Sequence, residues 1–289
     1  MKIDAHHHLW NLKKVTYPWL ITRGTSRFFG DPAPIQRNYL LEEFRRDAKG
    51  FAASVHIQVG AKDAWDEAQW VQTVADANPD WPLVQVAFCD LTADSRATQL
   101  DRLQTLSTVR GVRQIVGRAP GEDAQTGTNA LLTDSRFSDG VQDVAERDLT
   151  FDLQLIPELY EDMARVLDGA PDARIALCHA GSPHDRSVAG LKEWADRLKV
   201  LSIRPQVTCK LSGLGMFDHS WTEESIRPIV ETCIEQFGKD RCMFGSNFPV
   251  DSLYSDYAAL VKAYKTLIPS DMHSAIFCDT AAEFYGLKP

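Results

Sequence analysis

The chain has 289 residues, 44% hydrophobic and 25% charged, a composition that excludes a disordered or low-complexity protein. Forty acidic against 31 basic side chains give a formal charge of −9, which disfavours nucleic acid and anionic membranes as partners but not a small anionic ligand held by local arginines. Such a length buries a large core without disulfides or a structural metal, and the six cysteines (Cys89, Cys178, Cys209, Cys233, Cys242, Cys278) show no C-x-x-C spacing, so they read as buried free thiols.

The first apolar run, KIDAHHH, spans 2–8 and carries His6, His7 and His8, which are too few for a tag and sit on a strand-like start. It lacks a secretory apolar core, and no later run approaches the ~18 apolar residues of a membrane span, so a cytoplasmic location is expected. A long aromatic and basic insertion follows at 11–38, with Tyr17, Trp19, Arg23, Arg27, Phe28 and Phe29. The second run, AASVHIQVG at 52–60, leads into a helical pattern at 63–77. The third, PLVQVAF at 82–88, precedes a helix at 95–106 with Asp94 as its expected N-cap. RGVRQIVG at 110–117 is the fourth, followed by a second insertion at 118–136 rich in Gly, Asp and Thr.

Then come TFDLQLI at 150–156 with a helix at 160–167, ARIALCH at 173–179 with a helix at 188–198, and QVTCKLS at 206–212. A helix at 223–237, with Thr222 as N-cap, leads to the eighth run, RCMFGS at 241–246. Pro79, Pro171 and Pro205 stand shortly before strands, where they help stop the preceding helices. Strands too buried to alternate, each followed by a helix, predict a parallel β/α fold. Eight such units across 1–289 predict one domain, a distorted (β/α)8 TIM barrel with both insertions over its C-terminal face as lid or substrate wall.

In a strand, alternate residues share a face, so His6 and His8 point together and His7 points away. At the C-terminal mouth of a barrel, such a pair reads either as the start of a divalent-metal site or as two hydrogen-bonded imidazoles. His179, closing the sixth run, occupies an equivalent place. Arg113 and Arg118 bracket the end of the fourth strand, where a guanidinium suits a carboxylate or polyol oxygens. His56 and Gln58 point to one side of the second strand, His56 as a structural group and Gln58 as a substrate contact, and Gln154 on the fifth has a similar status. Lys210 reads as polarising a carbonyl or fixing a loop. Trp10, Trp19 and Phe248 read as pocket walls or packing. His184, His219 and His273 read as loop or helix residues, with His219 the one placed to face the site.

Taken together, IDAHHHLW, CHAGSP, CKLSGL, MFGSNFPVD and the closing AAEFYGL resemble the amidohydrolase superfamily. The resemblance is to its branch of L-fuconolactonase, L-rhamnonolactonase and pyrone-dicarboxylate lactonase-type lactone hydrolases. It implies an active site of His6, His8 and His179, with these three holding Zn²⁺ or another single divalent metal where one is bound; part of the branch works without metal. The eighth strand departs from the pattern, since Asn247 stands where the family has Asp, and an amide cannot act as a base. Asn247 can still orient water or donate to an oxyanion. Asp251, Glu158 and His179 are the groups left to act as base, and His179 is favoured because an imidazole titrates near neutral pH.

The resemblance implies hydrolysis of a ring ester, a sugar-acid or carboxylated lactone, by activated water, with a small-molecule substrate as partner and a homodimer compatible with it. The alternatives are a metal-dependent decarboxylase or hydratase of the same superfamily acting on an aromatic-derived acid, and a barrel that only binds a metabolite.

Overall fold

The computed structural model describes residues 1–122 and 127–288; residues 123–126 of the second insertion lie outside it. Eight strands form one sheet in chain order, every neighbouring pair parallel. They are β1 (Ile3–His7), β2 (Ala53–Ile57), β3 (Leu83–Phe88), β4 (Val109–Arg113), β5 (Thr150–Leu153), β6 (Arg174–Leu177), β7 (Val207–Leu211) and β8 (Cys242–Phe244). The sheet curls into the expected (β/α)8 barrel. Its two edges meet through the segment after β8: Asn247 N–H donates to His6 O and His8 N–H to Phe248 O, both at 2.7 Å. Asp4 reinforces this seam by accepting the N–H groups of His6 and Ser246, each at 3.0 Å.

Around the strands run α1 (Pro18–Ile21), α2 (Leu41–Asp47), α3 (Ala64–Asp76), α4 (Arg96–Gln104), α5 (Ser135–Glu146), α6 (Tyr160–Asp168), α7 (Val188–Ser202), α8 (Glu223–Phe237), α9 (Tyr257–Leu267) and α10 (Thr280–Tyr285). Thr222 caps α8 as expected, in a reciprocal box with Ser225. Asp94 does not cap α4. The cap position falls on Ser95, whose side chain makes no capping bond, because the chain is still turning at 92–95 when the helix begins. Among the described residues no helix is long and apolar enough to cross a membrane.

Small and β-branched residues of alternate strand positions (Ile3, Ala5, Val55, Ile57, Val84, Val86, Ala176) fill the barrel interior, and Tyr285 and Leu287 pack into the same cluster from the C-terminus. The larger cluster lies between strands and helices. All six cysteines are buried and free. A buried ion pair, Lys210 with Asp152, crosses the interior; Lys210 also donates to Ala5 O at 2.8 Å and Tyr285 OH donates to Asp152 at 2.8 Å. Every member of this group is thus satisfied, which is what lets two charges sit at 0% exposure.

The strands stop earlier than the apolar runs that foretold them, most plainly at β4, which ends at Arg113, and β5, which ends at Leu153. Past those points the backbone turns out to line the mouth. The 11–38 insertion crosses that mouth. It holds α1 and a tight hairpin where Arg27 and Gly30 exchange backbone hydrogen bonds at 2.8 and 2.9 Å. Gln36 donates to Thr22 O at 2.6 Å and accepts from Arg23 at 2.9 Å, tying the loop to itself. Phe28 stacks on Phe217 at 5.4 Å, Tyr254 OH donates to Phe29 O at 2.7 Å, and Arg27 pairs with Glu122 of the second insertion.

Candidate active site

At the C-terminal mouth lies a cavity of about 270 Å³, lined by His8, Pro18, Trp19, Arg27, Phe28, Phe29, Gln58, Val59, Gly60, Arg113, Ile115, Arg118, Gln154, His179, Met216, Asn247 and Val250. Of the candidates named from sequence, His8, His179, Asn247, Gln58, Arg113, Gln154, Arg118 and Trp19 meet there.

His6 lies just beneath. Its ring centroid is 5.2 Å from that of His8 and 4.5 Å from that of His179. The β1–β2 register shifts between Asp4 and His7, and this irregularity lets Ala5 and His6 both lean inward where strict alternation would separate them. His7 faces out, stacked on Phe44 at 3.8 Å.

His179 is held by an unusual backbone. His179, Ala180, Gly181 and Ser182 all have positive φ, from 52° to 71°, one turn of left-handed coil. Such residues cost about 1–2 kcal/mol each when they are not glycine. Its Nδ1 lies 3.1 Å from Ser212 Oγ, leaving the other ring nitrogen for the cavity. Gly213, at φ 64°, packs against that ring: a Cβ there would lie 2.3 Å from Nδ1. Sequence reasoning missed Ser212, although CKLSGL places it directly after β7.

His8 Nδ1 lies 2.8 Å from Ile57 O, and Nε2 lies 3.2 Å from the side-chain oxygen of Asn247. Asn247 Nδ2 in turn lies 2.9 Å from Asp251 Oδ1. Burial pushes His6 and His179 well below the usual imidazole range; His179 and Lys210 add to this at His6, and Arg113 and His8 at His179. Burial, with Arg113 next, brings His8 down to about 3. All three are neutral at neutral pH. Burial pushes Asp251 up to about 7 against the pull of its hydrogen bonds and of Arg186.

Arg113 donates to Gln154 Oε1 at 3.2 Å and to Gln58 O, while its Nε has no partner. Trp19 is fixed by donating to Val59 O at 2.7 Å. Arg27, Phe28 and Met216 reach the wall from loops and carry no strand-end signal.

Other candidates fall elsewhere. Lys210 is under the floor with Asp152. Phe248 packs on Tyr257 at 5.1 Å, and Asp251 stands behind Asn247. His56 and Gln58 do not share a side: β2 ends at Ile57, alternation ends with it, and His56 accepts from Leu9 N–H at 3.1 Å beside the buried Glu67. Glu158 and His184 pair with each other at 2.9 Å, outside the cavity lining. His219 stacks on Tyr254 at 4.0 Å, and His273 lies 2.9 Å from Ile268 O. Trp10 donates to Arg37 O at 2.6 Å and is wholly buried packing.

Two ring nitrogens of His6 are buried without a partner, an opening for a metal. Among the described residues, its ligand atoms gather within 4.8 Å of those of Asp152 and Cys178. Asp152 is already engaged by Lys210 and Tyr285, and burial pushes the Cys178 thiol up to about 12. Both nitrogens of His8 face other partners, and Arg113 and Lys210 add fixed positive charge. Of the expected ligands, His6 keeps both ring nitrogens and His179 keeps one that could hold a divalent cation, while Asp152, Cys178 and His8 are engaged or protonated and do not complete the set.

A parallel eight-stranded barrel with histidines and a guanidinium gathered at its C-terminal mouth is the arrangement of a barrel enzyme. The chain belongs to the amidohydrolase family, whose model matches residues 3–287. It is 36% identical to an uncharacterized protein, y4mH, of Sinorhizobium fredii, over 98% of this chain and 97% of that one. It is 27% identical to an L-fucono-1,5-lactonase of Burkholderia multivorans, over 99% and 96%. A crystal structure of a Burkholderia multivorans amidohydrolase with bound zinc superposes with a TM-score of 0.82 at 25% identity, covering 100% of both chains.

Proposed function

We propose that this protein opens a lactone ring by attack of water on the ester carbonyl, and that its substrate is a lactone bearing a carboxylate. The observation that carries the second point is Arg113 in the lining of the cavity: it is buried, its Nε has no partner, and the groups it donates to, Gln154 Oε1 and Gln58 O, are neutral. Such a pocket attracts an anion, and its volume of about 270 Å³ takes one small ring rather than a polymer. The likeness to fuconolactonase supports ring-ester hydrolysis. Cytoplasmic location and a small-molecule substrate as the working partner belong to the same reading.

Arg113, buried and partly unpaired, grips the substrate's anionic group. His179, anchored at Nδ1 by Ser212, takes one proton from the attacking water and returns it to the ring alkoxide as the C–O bond breaks. Water and lactone become one hydroxy acid, with no net change in the enzyme. Burial first and Arg113 next depress the proton affinity of His179; an anion bound on Arg113 offsets the second of these and raises that affinity. Asn247 faces the same space as a neutral hydrogen-bonding group.

The test is a pH-indicator screen of γ- and δ-lactones, carboxylated and neutral, with chelator-treated protein and elemental analysis in parallel. Acidification by metal-free protein, strongest on carboxylated rings, is expected. Silence across the panel overturns the reading, and tightly bound metal without lactonase activity redirects it to decarboxylation or hydration.

A further inference from the structure

We propose that Asp251 is a positioning residue, a buried carboxyl that acts through Asn247 to keep the amide NH2 directed at His8 and the cavity. The inference rests on the cavity being the reaction site and adds a part the family's Asp would not need.

Donors and acceptors decide which way the amide faces. Ile57 O can only accept, so His8 Nδ1, at 2.8 Å, carries the ring proton. A neutral His8 then has a bare lone pair on Nε2, and the group 3.2 Å away must donate to it. With Oδ1 of Asn247 in that place, two acceptors oppose each other. The two ends of an amide exchange by a half-turn with almost no change in shape, and only the nitrogen end satisfies the ring. The oxygen end then faces Asp251 across the 2.9 Å contact, and that contact needs a donor, a protonated carboxyl. One unbroken chain results: Asp251 donates to Asn247, Asn247 to His8, and His8 to Ile57 O.

Burial favours the proton that Asp251 must carry. It is 1% exposed, and burial raises it to about 7. The groups facing it are the Gly215 N–H, the Arg186 guanidinium and, from α9, the Tyr264 hydroxyl. Arg186 directs Nη2 at Leu214 O, and its remaining nitrogens, Nε and Nη1, form no hydrogen bond, to Asp251 or to any other group. Around His8 stand Arg113, His56, His6 and His179, none of them a carboxylate that would protonate it. Asp251 is absent from the cavity wall, so it acts only through the amide. When Asp251 loses its proton, the amide turns, its NH2 goes to the carboxylate, and the cavity loses a donor for the developing oxyanion.

The decisive measurement is NMR of the Asn247 side-chain amide and the His8 ring nitrogens in labelled protein, on either side of neutral pH, for the wild type, Asp251→Asn and Asp251→Leu. In the wild type the amide protons and Nε2 should shift together as Asp251 ionises. Asp251→Asn, which keeps a neutral donor, should hold the low-pH pattern throughout, and Asp251→Leu should lose it at every pH. A wild-type pattern that ignores pH, or one that titrates identically in Asp251→Asn, overturns the proposal; if Asp251→Leu fails to fold, the Asp251→Asn comparison decides alone. On any lactone the protein turns over, Asp251→Asn should lose the alkaline decline in kcat with KM unchanged. If no lactone is turned over, the proposed function fails while the NMR result stands on its own.

Discussion

At the scale of single residues, the positions that line the cavity were legible wherever a strand ends on or just before them. His8, His179, Arg113 and Asn247 all follow or close a β-strand and all reach the cavity. Facing was not legible one step further along, because it depends on where the strand stops; His56 and Gln58 part company for that reason. Arg27 reaches the cavity on the 11–38 insertion expected over the mouth, whereas Ile115 and Met216 come from loops whose paths no local pattern encodes. On the proposed reading, substrate choice turns on Arg113. A lysine can replace its charge but not the two anchored hydrogen bonds, to Gln154 and Gln58 O, that fix its direction. Arg113→Lys should therefore raise KM for a carboxylated lactone by roughly 10- to 100-fold, the scale of one charge-assisted hydrogen bond. A neutral lactone should be affected much less, and equal losses on both substrates in steady-state kinetics would remove Arg113 from anion recognition.

At the scale of elements, the order and type of the eight strands and of α3, α6, α7 and α8 followed from hydrophobic period and punctuation, because burial dictates both. The left-handed turn at His179–Ser182 did not, since Ala180 and Ser182 are residues that seldom adopt positive φ. It persists because β6 below and Gly213 beside it leave the His179 ring one place to go. Gly213→Ala forces a Cβ to within 2.3 Å of that ring at a φ of 64°. It should cost about 1–3 kcal/mol in urea unfolding and most of the activity as well. Thr222→Ala is the contrast: loss of the α8 cap should cost about 1 kcal/mol while kcat/KM stays at the wild-type value. Similar activity losses in both variants would mean that stability, not the placement of His179, limits turnover.

At the scale of the whole molecule, four imidazoles (His6, His7, His8 and His179) are buried and held below their ordinary value of 6.5. Each binds fewer protons folded than unfolded, so its contribution is present above the unfolded value and is lost as pH falls below it. Asp4 and Asp251 work the other way: burial raises them from 3.8 to about 6 and about 7, so their contribution is present in acid and is lost as pH rises through those values. Four groups outweigh two. The melting temperature should fall as pH drops from about 7 to about 5, and Asp251→Asn, which removes one opposing group, should make that fall steeper. A flat profile in calorimetry over this range would show that the imidazoles are not neutral in the native state.

The closure of the barrel has a consequence for how such a site can change. Asn247 joins the two edges of the sheet through its main chain, donating to His6 O, and meets the cavity through its side chain. Architecture holds the one and leaves the other at liberty. A lineage can exchange a carboxylate for an amide at this point, and with it the chemistry of the pocket, while the strand-to-strand bond that closes the fold is passed on unaltered.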